Sequence, residues 1–161
     1  MVAAQLLLVT TTPAHKQQDY VIHAPKREIL RSYLQRNPAI NSSRLFSYRW
    51  NTVPPGSPAT SGASHGVELA WIFNPANAPA NTSYYNSAVL AHRSWIAFAA
   101  TQDPNNNGIE GAVRWPSYGE GTSGKGVNLV WDAAAGNSVE PDTYREAGIG
   151  YINSIHRQFL V

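Results

Sequence analysis

The 161-residue chain contains no cysteine, which excludes a disulfide framework, thiol catalysis and a Cys-based zinc site. Charge is also scarce. Asp, Glu, Lys and Arg make up 14% of the chain, against about 25% in an ordinary globular domain. So little charge implies a surface partly covered by something else, or partly solubilised by glycans. No run approaches the ~18 apolar residues of a membrane span, so no span is expected. Basic clusters are missing as well. Lys16, Lys26, Arg27, Arg31, Arg36, Arg44 and Arg49 give the first 50 residues seven cations against two anions, yet no basic run exceeds two. A nucleic-acid site shows a clustered stripe, so these residues read as a solvated face and no nucleic-acid partner is expected. Ala3–Val9 is a short apolar run with no positive charge before it, unlike a signal peptide. Met1 is therefore compatible with the start of a truncated gene model.

What is present is aromatic. Five Trp and eight Tyr argue against disorder, and 12 Gly with 11 Pro are too few for a collagen-like or low-complexity chain. The length suits one domain and would allow about 70% of the unfolded surface to be buried. Asn41-Ser42-Ser43 and Asn81-Thr82-Ser83 are glycosylation sequons, pointing to a secreted, extracellular parent.

No internal repeat is visible. Residues 19–23 read as a short extended piece. Pro25 suits the first turn of a helix whose apolar face is Ile29, Leu30, Tyr33 and Leu34, ended at Asn37-Pro38. Residues 45–51 alternate in part and are aromatic, which predicts a strand. A loop over 52–64 leads to a short buried segment, Val67–Phe73, and a second loop, Asn74–Asn81. Residues 83–100 give the strongest helix, with Tyr85, Val89, His92, Ile96 and Ala99 as its stripe, widened by Trp95 and Phe98, and Pro104 as its stop. After a loop-rich stretch, Val127–Trp131 reads as a strand between glycine turns. Pro141 then opens a last helix with Tyr144, Gly148, Tyr151, Ile155 and Phe159 on one face. Helices and strands interleave, so the class is α/β. Only two strands are credible, and the helices carry more apolar surface than two strands accept. The chain therefore reads as part of a larger fold.

Four motifs invite chemistry. Gly62-Ala63-Ser64-His65-Gly66 matches Gly-x-Ser-x-Gly, but a nucleophile elbow needs a tight strand-to-helix turn, and Ser64 stands at the end of a thirteen-residue loop, 52–64. Its relay would have to draw on Asp103 or Asp132 with His156. The other residue of interest in this segment is His65, free on a loop after a strand. In α/β hydrolases the order is Ser, acid, His, so a late histidine fits a chain whose serine and acid lie upstream. The alternative is a loop histidine without chemistry. Gly119–Lys125 nearly matches a phosphate loop, but Gly126 replaces the magnesium-binding Ser/Thr and a strand follows. A turn is expected. Asp103-Pro104-Asn105-Asn106-Asn107-Gly108 matches the first half of a calcium loop, but Arg114 stands at the twelfth position, where a bidentate Glu belongs. No metal or cofactor is expected. Trp50, Trp71, Trp95, Trp115 and Trp131 suit either a sugar-binding cleft or, more commonly, a core.

Gly62–Phe73 resembles the catalytic-histidine motif of the type-B carboxylesterases, the cholinesterase-like branch of the α/β hydrolases: a small residue, His65-Gly66, one residue, Glu68, then an apolar run ending in Phe73. Neighbouring segments agree in order. Asp19-Tyr20 through Pro25 and Arg27 resembles the family's segment before a conserved helix. Leu45–Trp50 resembles the strand before the histidine loop. Trp95–Ala99, Asp103-Pro104-Asn105, Trp115-Pro116-Ser117-Tyr118 and Asp142–Arg145 resemble segments downstream of it. The likeness covers most of residues 19–155 and is nearest to fungal secreted members. It implies the C-terminal part of an α/β-hydrolase fold, its last core strands with flanking helices, incomplete as a sheet. Residues 1–18 form an N-terminal segment, and 19–161 belong to the carboxylesterase domain.

The resemblance also implies a reaction, hydrolysis of a small carboxylic ester. His65 takes the serine's proton and returns it to the leaving alcohol, oriented by an acid, with an acyl-enzyme between. Glu68 fixes the loop. The family's Gly-Glu-Ser-Ala-Gly elbow, its acid and its oxyanion glycines are not in this sequence, so the expected partner is the missing N-terminal part of the same domain. The chain alone is expected to be inactive. Position 24 is Ala where relatives often carry a cysteine. A non-catalytic homologue acting in binding or adhesion, and a small self-contained hydrolase using Ser64, are the alternatives.

Overall fold

The computed structural model describes residues 19–36, 44–58, 60–121 and 124–156, with the backbone only at 156. Both Ala3–Val9 and the Asn41 sequon lie outside the described residues, as does Phe159; Asn81 is exposed on the turn before a helix.

Three strands form one sheet in the order β1-β2-β3: β1 is Tyr48–Trp50, β2 Val127–Trp131 and β3 Ser138–Pro141. β1 runs parallel to β2, with Tyr48 opposite Leu129 and Trp50 opposite Trp131. β3 is antiparallel, with Asn128 opposite Glu140. Among the described residues, four α-helices flank the sheet: α1 Ala24–Arg36, α2 Leu69–Phe73, α3 Ser83–Thr101 and α4 Glu146–His156. The mixed architecture with its small sheet is a partial α/β-hydrolase fold.

β2 is buried along its whole length, as expected of a short apolar run between glycines. Strand alternation places Tyr48, Trp50, Leu129 and Trp131 on one face, against α2 and α3. There the five tryptophans meet one another. Trp131 lies 5.6 Å from Trp115, 5.9 Å from Trp95 and 6.1 Å from Trp50, which in turn lies 5.9 Å from Trp71. They are therefore a core, as their large apolar area favours. α3 is capped by the Thr82 hydroxyl, which accepts from Tyr85 N, and closes on the left-handed Gln102.

Arg49, Asn128 and Glu140 occupy the opposite face, and α1 is held there by charge. Buried Arg27 donates to Asp142 Oδ1 at 2.9 Å and to Tyr144 O at 2.8 Å. Tyr118 Oη donates to Asp142 Oδ2 at 2.6 Å and Asn128 Nδ2 to Oδ1 at 3.0 Å. Burial alone would raise the Asp142 pKa, but the bonds from Arg27 and Tyr118 outweigh it and hold the carboxyl at about 2. An Asp19–Arg145 pair at 2.8 Å ties the start of the first helix to the last.

The structure corrects several expectations. Residues 19–23 are a π-helical turn leading into α1, not an extended piece, because Asp19 folds back to Arg145. The α1 stripe does not face the core: Ile29 is 65% exposed, and Ala24 and Arg27 are the buried positions, since the ionic clamp sets the helix rotation. Lys26, Arg27 and Arg49 are thus not a solvated face. In α3, Ser87, Ala88, Leu90, Ala91, Ser94 and Ala97 are buried, while Tyr85, Ile96 and Ala99 are exposed; small residues allow the close approach. Pro141 ends an edge strand, where its missing N–H is tolerated, and does not open a helix. That strand is a third one, beyond the two expected. In α4 the buried position is Ile149, with Gly148 and Tyr151 exposed.

Candidate functional site

β1 leaves the sheet at a fixed point. Asn51 N donates to Trp131 O at 2.8 Å, Thr52 Oγ1 donates to the same carbonyl at 3.0 Å, and Ala133 N donates to Thr52 Oγ1 at 2.9 Å. The loop then returns as a turn in which Val67 N reaches Ser64 O at 3.3 Å. Gly62 and Gly66 have φ of 59° and 78°, a region that glycine adopts without a Cβ penalty. Ser64 and His65 are both exposed on this turn. α2 follows at once and is anchored by buried Trp71 and Ile72. His92 Nδ1 donates to Ile72 O at 2.6 Å, fixing the far end of α2 to α3; the carbonyl can only accept, so the proton sits on Nδ1.

His65 lies on the wall of an open pocket of about 240 Å³ between its own turn, β1 and the start of α1. Glu68 lines it and accepts from Tyr48 Oη at 3.4 Å. Burial, followed by the Glu68 charge, raises the Tyr48 phenol to about 12, so it stays a donor. The contact joins the histidine turn to β1, consistent with the loop-fixing role expected of Glu68.

His23, Lys26 and Arg49 also line the pocket. Lys26 Nζ donates to Tyr48 O and to Asn128 Oδ1, both at 3.1 Å, and burial lowers it to about 8. His23 is lowered to about 4, by burial first and then by Lys26 and Arg49, so it is a neutral ring at pH 7. Arg49 is bidentate on Glu140 at 2.7 and 3.0 Å and lies 4.6 Å over the Tyr144 ring, a cation–π geometry. The sequence marked none of these three as pocket residues, because nothing local tells a lysine that faces a cleft from one that faces water.

The other motifs resolve into structure. The carboxylates considered for a Ser64 relay are engaged elsewhere. Asp103 Oδ1 accepts from Asn105 N and Nδ2. Asp132 accepts from Ala134 N, Ala135 N and Asn51 Nδ2. The calcium-like run is thus an Asx turn, and Arg114 pairs with Glu120 at 2.6 Å. In the glycine-rich run, a Cβ at Gly126 would collide with the Tyr118 ring, and one at Gly121 with the Gly126 backbone. These glycines serve close approach. Among the described residues, no group of three His, Asp or Glu side chains could hold a metal ion, and no helix is long and apolar enough to cross a membrane.

The structure is similar to that of EstA from Aspergillus niger, with a TM-score of 0.57 and 21% identity, covering 78% of this chain and 25% of that one. It also matches a carboxylesterase, EST55, from Geobacillus stearothermophilus, with a TM-score of 0.43 and 26% identity, covering 63% of this chain and 21% of that one. The chain thus spans about a quarter of the length of EstA and a fifth of that of EST55. No protein-family model and no curated protein matches it.

Proposed function

We propose that the chain is the histidine-bearing part of a serine carboxylesterase of type B, and that it acts only with the rest of an α/β-hydrolase domain. The observation that carries this reading is the placement of His65. Its ring is exposed, on the turn that follows β1, at the wall of a pocket. A general base must reach the proton that it abstracts, and an exposed ring beside a cavity meets that requirement. The similarity in fold to EstA supports the same reading.

In the complete enzyme His65 removes the serine's proton as that oxygen attacks the ester carbonyl, then protonates the departing alcohol; the acyl-enzyme is hydrolysed by the reverse sequence. The acid that orients the ring and the oxyanion donors come from the remainder of the domain. A graft tests this. Residues 19–161, placed in full for the equivalent quarter of EstA, should support ester hydrolysis. His65→Gln in that graft should cost at least about 10³-fold in kcat, and Ser64→Ala should leave kcat essentially unchanged. The free chain should not react with a fluorophosphonate. Stoichiometric labelling at Ser64 would support a self-contained hydrolase instead.

A further inference from the structure

The pocket beside His65 has an asymmetry that proton transfer does not use. Its lining sets three basic side chains, Lys26, His23 and Arg49, against a single carboxylate, Glu68, with its partner Tyr48. Arg49 is matched by its bidentate contact with Glu140. Among the described residues, no carboxylate matches Lys26 in this way. Its two acceptors, a backbone carbonyl and an Asn side-chain oxygen, are both uncharged. The carboxylates that act on it, Asp142 and Glu140, are bonded to Arg27 and Arg49. An ammonium has three donors, and two are spent on neutral oxygens. A half-buried cation without a counter-ion is costly, and an anion in the pocket would relieve that cost.

We propose that this pocket is a carboxylate subsite with Lys26 as its counter-ion, so that the esters the complete enzyme takes carry a free carboxylate. The proposal rests on the esterase reading above and names its substrate class: half-esters of dicarboxylic acids. A single ammonium matches a monoanion. The Glu68 carboxylate in the same lining opposes a second negative charge, which disfavours a phosphate. Ile22 and Trp50 line the same space and offer apolar surface to a short alkyl chain.

The test uses the 161-residue chain itself, titrated with monomethyl succinate and with dimethyl succinate while the imidazole proton resonances of His65 and His23 are followed. The half-ester should shift both resonances saturably and bind roughly tenfold more tightly than the neutral diester, as a charged hydrogen bond warrants. Lys26→Gln keeps a donor and removes the charge. With its circular dichroism unchanged, it should bind the two esters equally. Equal affinities for wild type, no saturable shift with the half-ester, or a preference that survives Lys26→Gln would each overturn the subsite. Equal binding beside His65 would leave the esterase reading standing. Half-ester binding at Lys26 with an inert EstA graft would do the reverse.

Discussion

The two faces of the sheet are built on opposite chemistry. Against α2 and α3, the side chains are indoles, aliphatics and the small serines and alanines of α3, closed on one another. Against α1, the contacts are Arg27, Asp142, Asn128, Lys26 and Arg49. The first face is held by area, which tolerates small shifts. The second is held by direction, and a carboxylate or guanidinium that loses its partner there is left in a medium that solvates it badly. The candidate site lies on the edge where these faces meet, and it takes Trp50 from one and Lys26 from the other.

That contrast can be tested on the stability of the chain. Trp131→Ala should have the largest effect, a loss of about 3–5 kcal/mol, read from the urea midpoint. Close behind, Asp142→Ala should cost about 3–5 kcal/mol because it strands Arg27. The double change Arg27→Met with Asp142→Leu should recover most of that loss, which a purely apolar interface would not do.

The charged face should also respond to pH. The Asp142 pKa is depressed to about 2, so the folded state binds fewer protons than the unfolded one. Its stabilisation is full above about pH 4 and disappears as pH falls toward 2. His23, lowered to about 4 from 6.5, binds its proton more readily when unfolded. Stability should therefore decline as pH falls from 6.5 to 4, and His23→Gln should flatten that part of the curve. Gly126→Ala should cost about 1–3 kcal/mol through its positive φ, with further loss against Tyr118. The smallest effects belong to exposed apolar residues: Ile29→Ser and Phe73→Ser should each stay within about 0.5 kcal/mol. A larger loss at Ile29 would mean that its face is covered in solution.

These differences also explain what could be read from the sequence. Val127–Trp131 follows Gly126 and is apolar except at Asn128, so the strand could be placed to the residue. The bounds of α3 could be read within one residue, with Pro104 as the stop beyond it. Its buried face was hidden, because apolar periodicity follows large side chains, whereas the helix packs through serine and alanine. β3 gave no signal: three of its four residues are exposed, and its proline suggests a helix start. The Arg27–Asp142 clamp joins residues 115 apart, which spacing cannot reveal, and that clamp sets the rotation of α1. His65 was legible as a free ring on a loop. Lys26 became a pocket residue only once α1 lay across β1.

The tryptophan cluster has one more consequence. With neighbouring indoles about 5 to 6 Å apart, an absorbed photon migrates among them before it is emitted. The intrinsic fluorescence of this chain therefore reports one collective emitter, and its spectrum should move as a unit when the sheet and α3 part.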